Sequence, residues 1–289
     1  MHLSPSLPHD IDYLAIGHPT VDETPQGDVI GGTVVYSSLQ AARLGWRSAV
    51  MGVGNVTDVE PLIGAFGGDV SMVLQASMTT THFRNVPAGD GRLQWVRDAA
   101  PPVMLPAHFP PVRVLHLAPV AREVDLAGAV TAGAGYAEVL GLTPQGLVRR
   151  WDEEGRVTLA PLAVEPAIAG RVDVVVASHE EAPFLSALVE PVRRHGGLVV
   201  VTHGSAGCHV MTGHGGGQTV PALPVRRDAD RTGAGDVFAA ALLVAVAEGT
   251  EAVAAVRFAM AAAACSIEGV GPAAIADRPT VRRRLAATS

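Results

Sequence analysis

The sequence predicts an α/β protein built on a mostly parallel sheet with helices on both faces. Three observations carry this. Short, strongly apolar strand-like runs recur along the chain. Helical segments alternate with them. The C-terminal third passes from a glycine turn straight into two Ala-rich helices. Hydrophobic residues make up 48% and charged residues 17% of the 289 positions, so the chain can bury a core and is not a disordered polymer.

Residues 1–10 read as a loose arm, and Tyr13–Gly17 as a buried strand ending in glycine. Asp22–Val29 is polar, with Pro25 and Gly27, and reads as a loop or edge segment. Gly31-Gly32 opens a helix over Thr33–Leu44, stopped by Gly45, and Ser48–Val53 is the next strand. Thr79–Asp98 carries two β-rich runs around Asp90-Gly91, a hairpin signal. Polar residues alternate on both of its faces, so the hairpin is expected to project from the body. Then follow a strand at Val112–Leu117, a weak helix at Asp125–Gly133 and a strand at Ala137–Leu142. Strands at Val172–Ala177 and Gly197–Thr202 flank a helix at Glu180–Arg194. Helices over Val237–Ala247 and Glu251–Ser266 and a short basic helix at Thr280–Ser289 close the chain.

Several function classes drop out. A net charge of −7 gives no electrostatic footprint for nucleic acid. The longest clean apolar run, Val237–Ala247, is too short to span a bilayer, and the N-terminus lacks a basic start and an apolar stretch. No membrane partner and a cytoplasmic location are therefore expected. Cys208 and Cys265 match no metal spacing and read as free thiols. The 11 histidines include no convincing helical His-x-x-x-His pair. There is no Walker-type phosphate loop. Gly269–Ala274 formally matches G-x-G-x-x-A but follows a helix rather than a strand, so no dinucleotide fingerprint is read there. Ser205 lacks the G-x-S-x-G frame of a nucleophile elbow.

The chemistry concentrates in Thr232-Gly233-Ala234-Gly235-Asp236. Two glycines one residue apart permit a tight turn and leave backbone N–H groups unscreened. A helix starts immediately after, so loop amides and helix N-terminus aim at one spot that attracts anions. Asp236 falls in the first turn, where the helix dipole favours an ionised carboxylate. An anion hole beside a carboxylate is what phosphoryl transfer to an alcohol needs: one stabilises charge on the moving group, the other accepts the hydroxyl proton.

The run Asp230–Phe238 (DRTGAGDVF reading from Asp230) strongly resembles the C-terminal signature of the PfkB, or ribokinase-like, carbohydrate kinases. Gly31-Gly32 with the following helix resembles the N-terminal signature, and Asp22 matches the acidic residue that binds substrate hydroxyls in that family. Val201–Gly207 resembles the strand and turn beside the nucleotide, and helix 251–266 the one beside the adenine. The resemblance implies a three-layer α/β/α domain over residues 1–289, with segments near 22–31 and 79–98 forming a small β lid. It implies Asp236 as catalytic base and the amides of Gly233, Ala234 and Gly235 as anion hole. Asp22, Gly31, Gly32, Thr81 and Arg84 would hold the acceptor, and Thr202, Gly204, Gly207, Thr232 and Ala264 the nucleotide. ATP would be the donor. Glu181 would serve Mg²⁺, and Asp230, with carbonyls in 264–271, a monovalent cation such as K⁺. The partners are then a small-molecule substrate and a nucleotide, with pairing of two copies through the lid.

Two segments depart from the family pattern. Ser178 stands where many members have the Asn of Asn-x-x-Glu, with Glu181 retained. Leu142-Thr143-Pro144-Gln145-Gly146 and then Arg149-Arg150 replace an Asp-x-Asn-type segment. Arg84, Arg97, Arg149 and Arg150 show no convergence from sequence alone, which argues against a phosphorylated acceptor. The short span between Asp22 and Gly31 suggests a minimal hairpin lid around 79–98, in which Phe83 and Trp95 contact substrate or pack against a second subunit, packing being favoured. The expected activity is ATP-dependent phosphorylation of a hydroxyl on a sugar or sugar-like polyol. The alternatives are a nucleoside or inositol kinase on the same scaffold, and a non-catalytic member acting as a binding module.

Overall fold

The protein is described here by a computed structural model covering every residue except 5, 25–26, 64–69, 89–90, 214–215 and 289, and excluding the side chains of 87, 88, 91 and 92. Strands β1 (His2–Leu3) and β2 (Tyr13–Ile16) lead into β3 (Thr20–Thr24), β4 (Gly27–Gly31), α1 (Thr33–Arg43), β5 (Ser48–Gly54), α2 (Val56–Ile63) and β6 (Val70–Ala76). The hairpin β7 (Thr81–Ala88) and β8 (Gly91–Asp98) precedes β9 (Val112–Leu117), α3 (Leu126–Gly133) and β10 (Ala137–Leu142). A one-turn helix α4 (Gln145–Val148) opens a small hairpin, β11 (Arg149–Trp151) and β12 (Val157–Leu159). Then come α5 (Pro166–Ala169), β13 (Val174–Ser178), α6 (Ser186–Arg194), β14 (Leu198–Thr202), β15 (Cys208–Thr212) and β16 (Gln218–Val220). Helices α7 (Ala234–Ala247), α8 (Ala252–Ile267) and α9 (Arg278–Ala286) finish the chain.

The main sheet has the order β1-β6-β5-β2-β9-β10-β13-β14-β15-β16. It is parallel from β1 to β14 and antiparallel over the last two strands. The strand period of two divides its side chains between two cores. Tyr13, Ala15 and Val114 pack with α1, α7 and α8 on one face. Leu14, Ile16 and Leu115 pack with α3, α5 and α6 on the other. That makes the three-layer α/β/α arrangement the sequence implied. Helix α7 is apolar all round, with Val237 to Ala245 buried, because it lies between the sheet and its helical neighbours.

Strands β4-β3-β7-β8 form a separate four-stranded sheet, parallel between β3 and β7 and antiparallel elsewhere. The β11–β12 hairpin docks on it: the Val96 N–H donates to Gly155 O (2.8 Å), and Trp95 bridges to Arg156. Gly155 sits at φ 82°, and a side chain there would meet the Val96 carbonyl.

Four expectations change. The N-terminal arm is not loose, since β1 pairs with β6 and Met1 is buried. For Asp22–Val29 the loop alternative gives way to the edge-segment one: the described residues belong to the β3–β4 pair, with β4 at the sheet edge, and their polarity suits an exposed ribbon; Pro25 and Gln26 lie outside the described residues. The segments expected to form the lid make a four-stranded sheet rather than a minimal hairpin. The predicted helix from Glu180 is broken: a 3₁₀ turn at Ala182–Phe184 precedes α6. Reciprocal hydrogen bonds between Ser178 and Glu181 hold the chain out of helix there, and Pro183 brings no N–H. The hairpin at 79–98 holds, with Asp90 of its turn outside the described residues. Elements α2, β6, α5, β11–β12 and β15–β16 were not legible in the sequence.

Candidate active site

The parallel strands deliver their carboxyl ends to one edge of the sheet, and the strand order reverses outward from β2 and β9. Clefts in such sheets open at this place. The loop before α7 enters there. Gly233 caps the helix in the left-handed region, φ 74°, and a Cβ on it would enter the ring of Tyr36. Only glycine fits. Gly235 has open space where its side chain would be. The Ala234 N–H donates to Arg231 O (3.2 Å), so of the three predicted anion-hole amides this one is already used by the turn. Gly233 and Gly235 both line the cleft, and no hydrogen bond from either N–H is found among the described residues.

Asp236, one residue on, lines two adjoining cavities. Its negative charge helps to push the phenols of Tyr13 and Tyr36 above their usual range, burial being the larger cause for both. The first cavity, about 400 Å³, runs from Asp236 past Thr232 and Thr202 to Ser178 and Glu181. Glu181 is half-buried at the cavity wall. Burial pushes its carboxyl above the usual value, while the Ser178 N–H at 2.9 Å and the Arg149 charge pull the other way. Ser178 thus keeps Glu181 in place: its N–H donates to the carboxylate, and its Oγ accepts the Glu181 N–H at 3.3 Å, the reciprocity of a capping box.

The second cavity is a small pocket of about 60 Å³ under the lid. Asp22 reaches it from β3 and accepts from the Thr20 hydroxyl at 3.1 Å. Gly31 makes room for it, since a Cβ there would stand 2.6 Å from Asp22 Oδ2. Gly32, at φ 92°, caps α1 at the pocket wall. The other two predicted acceptor residues are placed elsewhere. Thr81 is fully buried behind the pocket. Its hydroxyl accepts the Ala100 N–H (3.0 Å) and donates to His18 Nδ1 (2.7 Å), because His18 Nε2–H is given to Pro101 O. Arg84 is exposed on the outer face of β7. Alternation turns its neighbours Phe83 and Asn85 inward instead, with Gln94 of β8 donating to Asn85 Oδ1 at 2.8 Å.

Sequence reasoning also missed Gln145 and Arg149. Both line the two cavities. The Arg149 guanidinium is buried over the Phe83 ring, 5.3 Å from its centroid, and donates to Val120 O (2.8 Å) and Gln145 Oε1 (2.9 Å). Gln145 in turn donates to the Thr33 hydroxyl. Arg150 turns back onto the Leu147 and Arg149 carbonyls, and Arg97 pairs at 3.9 Å with Glu23. One of the four arginines therefore converges on the site. The signal was available: Gln145 and Arg149 are four apart on a turn that leaves the end of a parallel strand.

A third cavity, about 610 Å³, opens on the other side of the Gly235 loop. Its lining is mainly apolar, with Leu223, Val225, Phe238, Met260, Ala263 and Ala264; Gly204, Gly207, Thr202 and the paired Asp228 and Arg231 also contribute. Four of the predicted nucleotide residues thus share it; Thr232 faces the other two cavities instead. Asp230 ties this loop to the end of α8, accepting the Thr232 N–H (2.8 Å) and the Gly271 N–H (3.0 Å). No group of three or more His, Cys, Asp or Glu that could hold a metal occurs among the described residues.

The topology and this loop have known counterparts. The chain superposes across 96% of its length on the whole of a pyrophosphate-dependent kinase in the ribokinase family, with TM-score 0.75 and 22% identity. The chain has the ribokinase fold. Residues 167–279, which include the Asp236 loop, match the model described as pfkB family carbohydrate kinase. Ribokinase of Arabidopsis thaliana, solved with ribose and ATP, aligns over 96% of this chain and 99% of its own at TM-score 0.71 and 18% identity. The nucleoside kinase of Methanocaldococcus jannaschii aligns over the same shares at TM-score 0.73 and 15% identity. Within the ribokinase fold, the three cavities and Asp236 occupy the sheet edge and the underside of the lid. No helix among the described residues is long and apolar enough to cross a membrane.

Proposed function

We propose that the chain transfers a phosphoryl group from ATP to a hydroxyl of a sugar or sugar-like polyol. One observation carries this: the Asp236 carboxylate lines both the 400 Å³ cavity and the pocket under the β3–β4–β7–β8 sheet, while Gly235 beside it lines that cavity and the apolar one. A base in that position touches the acceptor hydroxyl while the loop amides face the moving phosphoryl group. Asp22, Asn85, Gln94 and Arg149 would orient the acceptor. The pocket's small size favours a compact polyol or cyclitol over a nucleoside. A binding module without catalysis has no use for a carboxylate in this place.

The donor assignment rests on the third cavity. Some solved relatives are named as pyrophosphate-dependent, and one such kinase was complexed with myo-inositol. Pyrophosphate needs no apolar chamber, whereas the wall of Phe238, Met260, Ala263 and Ala264 suits a flat base. Mg²⁺ would be held beside Glu181, whose carboxylate lines the same cavity as Asp236; the ion would supply charge neutralisation at the phosphates. A monovalent cation fits beside Asp230, which retains acceptor lone pairs after its two N–H partners and adjoins the 264–271 carbonyls. A cytoplasmic location agrees with two free cysteines, Cys208 and Cys265. The outer lid strand β4 carries exposed Val29 along an open edge, which suits pairing of two copies; a doubled mass in light scattering is the expected result.

The decisive assay supplies ATP or pyrophosphate, with Mg²⁺ and K⁺, to a panel of sugars, polyols, inositols and nucleosides. Product is expected with ATP and a small polyol and not with pyrophosphate. Turnover with pyrophosphate alone would move the donor assignment. Nucleotide binding without turnover on any acceptor would leave the binding-module reading.

A further inference from the structure

Beneath the Asp236 loop lies a buried polar chain that no step above has used. Tyr13 and His116 are both fully buried on adjacent strands β2 and β9. The Tyr13 hydroxyl lies 2.6 Å from His116 Nδ1, and His116 Nε2 lies 3.1 Å from the Thr143 hydroxyl. Thr143, at the end of β10, lines the 400 Å³ cavity with Asp236, Gly233 and Thr202. The chain thus runs from the core to the cavity wall and stops there.

Its polarity follows from chemistry. Burial drives the His116 pKa down to about 3, so the ring is neutral and has one N–H and one lone pair. The Tyr13 phenol is also neutral, since burial raises it. A phenol is a stronger donor than an imidazole N–H, and an imidazole nitrogen is a better acceptor than a phenol oxygen. The shorter contact is therefore Tyr13 O–H donating to Nδ1. That leaves the proton on Nε2, which donates to Thr143 Oγ. With its lone pair taken from behind, Thr143 has its own O–H left to give, and its oxygen has no other hydrogen bond among the described residues.

We infer that Tyr13 and His116 act as positioning residues that fix the Thr143 hydroxyl as a donor into the cavity, where it binds an anionic oxygen of the terminal phosphoryl group of the donor. Removing the phenol frees the imidazole to take the other tautomer. Thr143 then donates backward to Nε2 for part of the time and presents only lone pairs to an anion, which repels it. The inference rests on the kinase reading and deepens it, since it names the oxygen that Thr143 holds.

The test is binding of ADP and of the non-hydrolysable triphosphate adenylyl imidodiphosphate, with Mg²⁺, to the unaltered protein and four variants by calorimetry. Thr143→Val is expected to weaken the triphosphate about tenfold, the worth of one hydrogen bond to a charged oxygen, and ADP less than about twofold. Tyr13→Phe should weaken the triphosphate by about threefold. The double variant should match Thr143→Val alone, because the phenol acts only through that hydroxyl. Thr143→Ser should bind like the unaltered protein, and nitrogen-15 spectra should show the His116 proton on Nε2. Additive losses, equal losses for both nucleotides, or a proton on Nδ1 would overturn the inference. If Tyr13→Phe does not fold, the Thr143→Val and Thr143→Ser pair and the tautomer decide alone. An unaltered protein that binds neither nucleotide overturns the donor reading and the relay with it. Variants indistinguishable from an unaltered protein that binds both overturn the relay only.

Discussion

Asp236→Asn is expected to lower kcat by about 10³-fold, within the range for losing a positioned general base, while nucleotide affinity changes little. The substitution is isosteric, so Gly233 still caps α7 and the loop keeps its shape. It removes the one function an amide cannot perform, which is to accept the proton of the attacking hydroxyl. Steady-state kinetics with ATP and the acceptor from the panel, beside calorimetric binding of ADP, separate the effects. A variant with unchanged kcat would place the base elsewhere. A variant that also loses nucleotide would mean that the carboxylate holds the donor rather than the acceptor proton.

The contrast between Asp236 and the lid shows what a sequence can carry. Asp236 was legible because its setting is local: two glycines, a helix start and a carboxylate all lie within five residues. The sheet was legible for a similar reason, since runs such as Tyr13–Ile16 and Leu198–Val201 are apolar without interruption. The acceptor pocket depends on register instead. Whether Arg84 or Asn85 faces inward is set by the pairing of β7 with β3 and β8, and the pairing is irregular between His82 and Phe83. One residue of slip exchanges the two faces, and nothing within 79–98 states where that irregularity falls. Thr81 shows the same limit. Its strand position is on the inner face, yet His18 and Ala100, distant in sequence, take its hydroxyl. Arg149 was visible as a residue but not as a site, because its partners Val120 and Phe83 come from two other segments. The three-residue strands β11 and β12 are too short to show a period at all.

The two glycines of the loop should part company when each is given a methyl group. Gly233 is at φ 74°, where an alanine costs about 1–2 kcal/mol. Its Cβ would also enter the ring of Tyr36, which is buried and cannot swing into solvent. The loop must move to relieve both, and the anion-binding amides move with it. Gly233→Ala is therefore expected to lose about 2–3 kcal/mol of stability, strain and overpacking together. It should also lose about 10²-fold in kcat/KM, the usual penalty for an ångström of misplacement. Gly235 lies inside α7 with no positive φ and with open space at its Cβ position. Gly235→Ala should raise stability by about 0.5–1 kcal/mol, since alanine is the better helix former. Its methyl nevertheless projects where the donor phosphates would lie, so KM for the donor should rise while the fold gains. Thermal unfolding and donor kinetics on the two variants read the difference. Opposite signs in stability with losses in activity for both would identify the loop as a phosphate cradle shaped by backbone. Full activity in Gly235→Ala would show that no phosphate approaches that backbone, and the anion hole would then have to be sought away from this helix.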